Sequence, residues 1–495
     1  MNKKNIIIKK RRKKLKILRL SGYSYKNNFC VKNKSYDIIK KYNILNKIYL
    51  NLLNIKVSLS GRIILKRIMG KISFFNIRDF SKKNKIGIIQ LYINLNNIGN
   101  KKYIEIKNYD LGDIIGIIGI LFKTNTNELS VNVNKIKLIT KSLRPLPNKI
   151  YNNLNYKKYY KRYLDFIMNS ENMNIFIKRI MIINKIRSFF KKNNFLEVET
   201  PILHNIPGGA EAIPFITYHN KFYKKMFLRI SPELYLKKLI IGGFERIYEI
   251  NKSFRNEGIS STHNPEFTIL EFYITYVNYK WIMKFVEKFI KNIIYKTNKN
   301  YIINYKNFKI NFKKKFKKYS ILQAIIKYKP KYKNYLFNFN FLYNKILKNK
   351  KKINKIKLFK YTILELQYIL FEIKIIPKII FPTFIINYPS LNSPLSLRKK
   401  NKFFTERFEL FIFNLEIANG FTELNDPEDQ DIRFNKQILE KNKKNIKYNY
   451  DYDYIKALEY GMPPTSGCGI GIDRLVMILN NISNIKDIIL FPYIK

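Results

Sequence analysis

Two runs of alternating residues, "FERIYEINKSF" and "EFTILEFYITY", are joined by a connection that holds "GISSTHNP", and no other stretch restricts this chain so tightly. Successive side chains on a strand point to opposite faces. Glu249, Asn251, Ser253, Arg255 and Glu257 therefore share one face of the first run, while Tyr248, Ile250 and Phe254 share the other. On the returning run Phe267, Ile269, Glu271 and Tyr273 fall together. Such a hairpin keeps one apolar face and gathers an arginine, an aromatic ring and carboxylates around a concavity on the other. Arg255 offers a planar fork of donors for a phosphate or carboxylate, and Phe267 offers a stacking surface for a base. His263 lies in the connection, where a distal phosphate could be caught. The layout suits a nucleotide. Taken alone, Arg255 would fit a solvated hairpin with incidental ion pairs equally well, so the decision rests on the other motifs.

From Ile55 onward five short runs, "KVSLSGRIILKRI", "KISFFNIRDF", "KIGIIQLYI", "DIIGIIGILF" and "LSVNVNKIKLIT", predict a small antiparallel barrel of the OB type over residues 55–142. Before it, residues 1–54 read as a basic helical extension. After it, Pro145 and Pro147 break any continuing element and open a linker, 143–158. Residues 159–495 form a second domain. Its first helix is expected to bury Ile175, Ile177, Ile180, Ile183 and Phe189 on one face. In "LRISPELYLKKLIIGGF", Ser231 is the expected N-cap, Pro232 the first helical residue and Gly242-Gly243 the stop. Lys, Asn, Tyr and Phe so dominate residues 295–375 that only a mixed helical insert can be read there.

The 495 residues include 95 Lys and Arg against 34 Asp and Glu, a formal net charge of +61. A surplus of that size points to a polyanionic partner, nucleic acid above all. Lys, Asn, Ile, Tyr and Phe are enriched together, however, and share A+T-rich codons, so composition bias accounts for part of the charge. Cys30 and Cys468 lie far apart without a metal-ligand spacing, which argues against a disulfide framework or a zinc site and fits a reducing cytoplasm. The longest apolar runs, near 114–122 and 379–386, are too short or too broken by Pro382 to cross a membrane. The basic start reads as an amphipathic helix, for it lacks the apolar core and cleavage site of a targeting peptide.

Together "FLEVETPIL", "FRNEGISSTHNPEFTILEFY" and "GCGIGIDRLVMIL" resemble motifs 1, 2 and 3 of the class II aminoacyl-tRNA synthetases, and within them the bacterial-type lysyl-tRNA synthetases. The resemblance continues through "PGGAEAIPFITYHN", "RISPELYLKKLIIGGFERIYEI", "FPTFIINYPSLNSPLSL" and "EIANGFTELNDPEDQ", and covers most of the chain outside residues 295–375. It implies an α+β chain in which an N-terminal OB-fold β-barrel binds the anticodon and a class II catalytic domain, an antiparallel sheet flanked by helices, activates lysine with ATP. The adenylate would then pass its lysine to the 3' end of tRNA(Lys).

By the same resemblance Arg255 bridges the α-phosphate and the lysine carboxylate, Glu257 holds the adenine amino group, Phe267 stacks on the base, and His263 and Arg474 meet the β/γ-phosphates or the outer side of the base, with Asn264 and Glu416 completing the ATP set. Arg255 and Arg474 are the implied catalytic pair, and Glu416 and Glu423 the implied ligands of Mg2+. Glu233, Glu271 and Glu423 would approach the bound lysine, beside Tyr273, Asn419 and Phe421, with Gly209 in a tight loop over the amino-acid end. An ammonium taken out of water needs such carboxylates, whereas an aspartyl- or asparaginyl-tRNA synthetase would need a different lining. In the barrel Phe74 is implied to stack on an anticodon base while Arg67 and Gln90 meet base edges, with Phe75 as the alternative aromatic. Motif 1 implies a homodimer, and Cys468 is expected to be a small buried side chain. A paralogue that attaches lysine to a translation factor would lack the barrel. A non-catalytic RNA-binding protein would leave the ATP and magnesium constellation without a purpose.

Overall fold

All five alternating runs of the N-terminal half are strands: β1 (Lys56–Met69), β2 (Ile72–Phe80), β3 (Ile86–Asn94), β4 (Ile114–Lys123) and β5 (Leu129–Thr140). They close into a barrel in the order β1-β2-β3-β5-β4, with β4 returning to β1. Four of the five pairings are antiparallel, and the closing pair, β3 with β5, runs parallel from Gln90↔Ser130 to Tyr92↔Asn132. The expectation of a wholly antiparallel barrel could not hold, because an odd number of strands in a ring cannot alternate all the way round. Period-two burial fills the interior with Val57, Leu59, Ile63, Phe75, Ile77, Ile89 and Leu91 among others. The computed structural model describes residues 3–23, 25, 27–81, 85–147, 159–348, 361–442 and 450–494, which divide into two units, Met1–Met173 and Asn174–Lys495. Most of the predicted linker, and residues 349–360 of the insert, lie outside the described residues.

The basic extension begins with helix α1 (Lys3–Leu20), and its charge is put to structural use within the first unit. Arg11 is buried and donates to the carbonyls of Ser142, Arg144 and Leu111. Lys14 pairs with Asp110 at 2.9 Å, and Lys141 reaches both Asp110 and Asp113.

In the second unit, helix α2 (Ser170–Lys192) lies against the central sheet. Its buried stripe is Phe176, Ile182, Ile186, Phe189 and Phe190, while Ile180 is exposed. The predicted face held in part, with Phe189 buried and Ile175 and Ile183 packed half-buried against the core, but Ile residues crowd several faces of this helix and Ile180 falls outside. The sheet is assembled from β6 (Leu196–Glu197), β7 (Arg246–Phe254), β8 (Glu266–Thr275), β9 (Lys317–Ser320), β10 (Thr383–Ile386), β11 (Arg407–Ile412), β12 (Leu415–Thr422) and β13 (Thr465–Gly471). The order is β9-β10-β11-β12-β13-β8-β7-β6, antiparallel except at the two edge pairs. One face packs under α2 and the helix Tyr279–Asn298 through Phe189, Phe190, Phe272 and Phe289. That leaves the other face free to line a site.

The helix predicted to start at Ser231 spans Glu233–Ile241 (α3), with Pro232 at the N-cap position. Ser231 still serves the helix start, since its Oγ accepts from the Glu233 amide at 3.2 Å. The insert is more ordered than its composition suggested. Its strand β9 extends the catalytic sheet, and the helices Ile321–Tyr328, Phe339–Leu347 and Ile363–Lys374 share an apolar cluster built on Leu342, Leu366, Leu370 and Phe371.

Candidate active site

The free face of the sheet forms the floor of a cavity of ≈ 590 Å³, lined at one end by Arg255, Glu257, His263, Asn264, Phe267 and Arg474 and at the other by Gly209, Glu233, Glu271, Tyr273, Asn419, Phe421 and Glu423. The hairpin register explains the gathering: Glu249↔Glu271, Asn251↔Ile269 and Ser253↔Phe267 put the odd-numbered residues of β7 and β8 on one side. Strand β12 supplies Asn419, Phe421 and Glu423 by the same alternation. Glu416 would fall on the opposite face, but Leu410↔Ala418 is followed by Phe411↔Glu416, so Ile417 is left over as a bulge and Glu416 joins the lining.

At the outer end the Arg255 guanidinium lies over the Phe267 ring, 5.1 Å from its centroid, and its buried Nε has no hydrogen-bond partner among the described residues. A guanidinium held this way is ready for an anion. His263 Nε2 lies 3.1 Å from Arg474 Nη2, while its Nδ1 meets Ser260 Oγ at 2.8 Å. Burial, then the Arg474 charge, depress the His263 pKa below its ordinary 6.5. The sequence offered no reason to notice what holds Arg474 in place. Asp473 beside it accepts from Arg179 at 2.6 Å and from the Thr268 amide at 2.7 Å, fastening the helix Ile472–Leu479 to β8. Arg474 itself donates to the Glu416 carbonyl at 2.7 Å.

The inner end is acidic. Ser231 Oγ donates to Glu271 at 3.1 Å, and Tyr273 OH lies 3.5 Å from the same carboxyl. Burial, reinforced by Glu233, pushes Glu271 up to about 8. Gly209 closes the roof at φ 80, and a Cβ there would stand 3.1 Å from that of Glu233. In β13, Cys468 is buried as expected, and a Cβ on the adjoining Gly467 would stand 2.6 Å from Glu423 Oε1. Arg407, unnoticed in the sequence, fixes Asn419 by a 3.2 Å bond. Lys237, also unnoticed, pairs with Glu233 at 2.7 Å and with Glu423. Its only signal in the sequence is the i,i+4 step from Glu233.

The implied magnesium ligands Glu416 and Glu423 both line the cavity, and Glu423 is enclosed against Lys237. A further acid, Glu409 on β11, feels the charge of Glu416. Glu409 is buried between the Arg407 guanidinium at 2.6 Å and Tyr388 OH at 2.9 Å. Burial first, and Glu416 as the opposing charge, raise it to about 7 against the pull of Arg407. The hairpin connecting β11 and β12 turns through Phe413 and Asn414, both at positive φ, a turn usually written Asn-Gly. Without that spelling the juxtaposition was hidden. No cluster of three or more acids, histidines or cysteines suited to a metal occurs among the described residues.

In the barrel, Phe75 is fully buried in the core, which leaves Phe74 on the outer face, 5.5 Å from Tyr92, itself 5.5 Å from Phe122. Arg67 is paired across from Phe74 and is exposed. Gln90 is oriented by Glu128 at 3.0 Å and Ser130 at 2.9 Å. Tyr92, Phe122 and Glu128 were not anticipated.

These two sites agree with what comparison finds. The family described as tRNA synthetases class II (D, K and N) matches residues 155–495, and the one described as OB-fold nucleic acid binding domain matches residues 57–139. A Lysine--tRNA ligase of Wigglesworthia glossinidia brevipalpis is 49% identical, with 100% of this chain and 99% of that protein covered. One from Buchnera aphidicola subsp. Cinara cedri is 51% identical, covering 98% and 96%, and one from Ralstonia nicotianae is 47% identical, covering 99% and 96%. The chain therefore belongs to the class II tRNA synthetases of the D, K and N group.

Proposed function

We propose that the chain is a lysine--tRNA ligase, activating L-lysine with ATP and delivering it to the 3' end of tRNA(Lys). The observation that carries the choice of amino acid is the acid cluster Glu233, Glu271 and Glu423 at the closed end of a cavity whose other end presents Arg255, its buried Nε without a hydrogen-bond partner among the described residues. A zwitterion with a cationic tail fits that polarity, with its ammonium among the acids and its carboxylate toward Arg255. One carboxylate oxygen attacks the α-phosphorus and the phosphoanhydride bond breaks, so that pyrophosphate leaves. Arg255 offsets the charge of the two approaching anions, and Phe267, Glu257, His263, Asn264 and Arg474 position the nucleotide. The attacking group is already ionised, so no general base is required, and positioning with electrostatics supplies the rate.

Magnesium would supply charge neutralisation at the triphosphate. Glu416 and Glu423, which both line the cavity, would hold it, with Glu409 adding negative charge beside Glu416. On the barrel, Phe74 would stack on an anticodon base with Arg67 and Gln90 at base edges. Leu196, Ile202 and Leu203 in the motif 1 region are exposed apolar residues, which supports a homodimer built there. Light scattering should give twice the 59.5 kDa of one chain. No described helix is long and apolar enough to cross a membrane, and a translation enzyme of this type is assigned to the cytoplasm.

The test is ATP–pyrophosphate exchange with each amino acid in turn. Lysine-dependent exchange supports the proposal. Exchange with aspartate or asparagine points to the neighbouring specificities, and no exchange with any amino acid sinks an activating role.

A further inference from the structure

Lys237 has a contact set that its position on a helix would not suggest. Its side chain has no exposed surface, and the other buried positions of α3 beyond its first residue, Leu234, Leu236 and Ile240, are apolar. An ammonium there is costly. If packing were the only purpose, an apolar side chain of similar length would serve as well or better. What Lys237 touches explains its presence. It pairs with Glu233 one turn back on α3 and with Glu423 just beyond β12, and its Nζ lies 5.4 Å from the centroid of the Phe421 ring. All three partners line the amino-acid end of the cavity, and Lys237 itself does not. It stands behind the wall, on the far side of the groups that would meet substrate.

We infer that Lys237 is a positioning residue for amino-acid selection, a resident cation that holds Glu233 and Glu423 as an aimed carboxylate pair before lysine arrives. The inference rests on the lysine reading above and deepens it. Without Lys237, Glu233, Glu271 and Glu423 would crowd one enclosed space with no internal counter-charge, and the acids would take up protons or turn away. With it, Glu423 Oε1, which accepts no hydrogen bond among the described residues, remains fixed between Gly467 and the cavity. The pocket then holds more acids than resident cations, a deficit that an incoming ammonium reduces. The direction of the Lys237 shift agrees: burial pushes its pKa down, but Glu233 and then Glu423 outweigh burial and hold it charged.

The experiment is Lys237→Met in the full chain, with exchange kinetics measured against both substrates and a thermal melt as control. The KM for lysine is expected to rise roughly 10- to 100-fold, as for the loss of a charged hydrogen-bond network. The KM for ATP should stay near wild type, while the melting temperature should fall, as for the loss of one partner of a buried ion pair. Lys237→Arg, which keeps the charge, should recover most of the lysine affinity. An unchanged or lower KM for lysine in Lys237→Met, or an equal loss for lysine and ATP, overturns the inference. Should Lys237→Met not fold, it is added to the Glu233→Gln/Glu423→Gln double variant instead, where neither acid that Lys237 holds is left. There it should raise the lysine KM by no more than a few-fold beyond the double variant alone, and a further tenfold rise overturns the inference. Wild-type exchange separates the two levels: if no lysine dependence is seen there, the parent reading has failed, and if it is seen while Lys237→Met behaves as wild type, only the role of Lys237 has.

Discussion

A guanidinium stacked on an aromatic ring whose buried Nε has no hydrogen-bond partner among the described residues, as at Arg255, points to the reacting group as its partner. Arg255→Ala should lower lysine-dependent exchange by roughly a thousandfold or more while the melting curve is unchanged; a variant that retains near-normal exchange would remove Arg255 from the mechanism. Glu271 makes a second, pH-linked prediction. Its carboxyl is raised from 4.5 to about 8 in the free fold by burial and Glu233. Between those values the folded state binds more protons than the unfolded one, so the group lowers stability progressively as pH rises from 4.5 to 8 and no further above it. Glu271→Gln should therefore melt roughly 2–4 °C higher than wild type at pH 8, nearly equal to it at pH 4.5, and bind lysine poorly at both. A melting difference that grows toward acid pH would contradict the assignment. Arg255, Phe267 and Glu271 could be read from the sequence because alternation assigns faces, whereas Glu233 and Glu423 came only from the family resemblance. Lys237 and Glu409 could not. A lysine on a helix is nearly always solvated, and the turn that brings Glu409 to Glu416 is spelled Phe-Asn.

Elements were legible where one periodicity dominated. The barrel strands alternate, so their number and positions followed directly, and only the parallel closing pair was missed. Strand β9, "KKYS", has no alternation to read. It exists because β10, far along the chain, pairs with it, and local pattern carries no trace of that. The exposed aromatic face of the barrel yields a third prediction. Phe74→Ala removes a ring on the outside of the β2–β3 pair, so it should spare exchange and lower the charging of tRNA(Lys) by roughly tenfold or more, the scale of one lost base stack. Equal damage to both steps would indicate that Phe74 serves stability. Helix α1 gives a fourth. Asp110 sits among Lys141, Lys14 and Arg11. Burial pushes its carboxyl up, but bonds from Lys141 and Lys14 hold it below 3.8. The folded pKa is depressed, so the stabilisation is complete above 3.8 and fades as pH falls through the folded value. Asp110→Asn should loosen α1 at neutral pH, read as faster hydrogen exchange in residues 3–20, with little difference from wild type once the acid is protonated.

At the scale of the whole molecule, the composition is strongly skewed. Ile and Phe fill the cores and Lys is mostly outside, while Glu233, Glu257, Glu271, Glu416 and Glu423 gather in one cavity lining. The net charge of +61 should act on the polyanion more than on the small substrates. The KM for tRNA is expected to rise by roughly tenfold or more between 50 and 200 mM salt, while lysine-dependent exchange changes little, and parallel salt curves for the two steps would deny the surface charge a part in tRNA binding. The closed ring of the first unit has a further consequence. A sheet rich in Ile, Val, Leu and Phe invites another copy to add a strand wherever a border is left unpaired. Here β5 bonds to both β4 and β3, so the ring is closed, and this unit, for all its fibril-prone composition, is shielded from growing into a stack without needing prolines or charges to interrupt it.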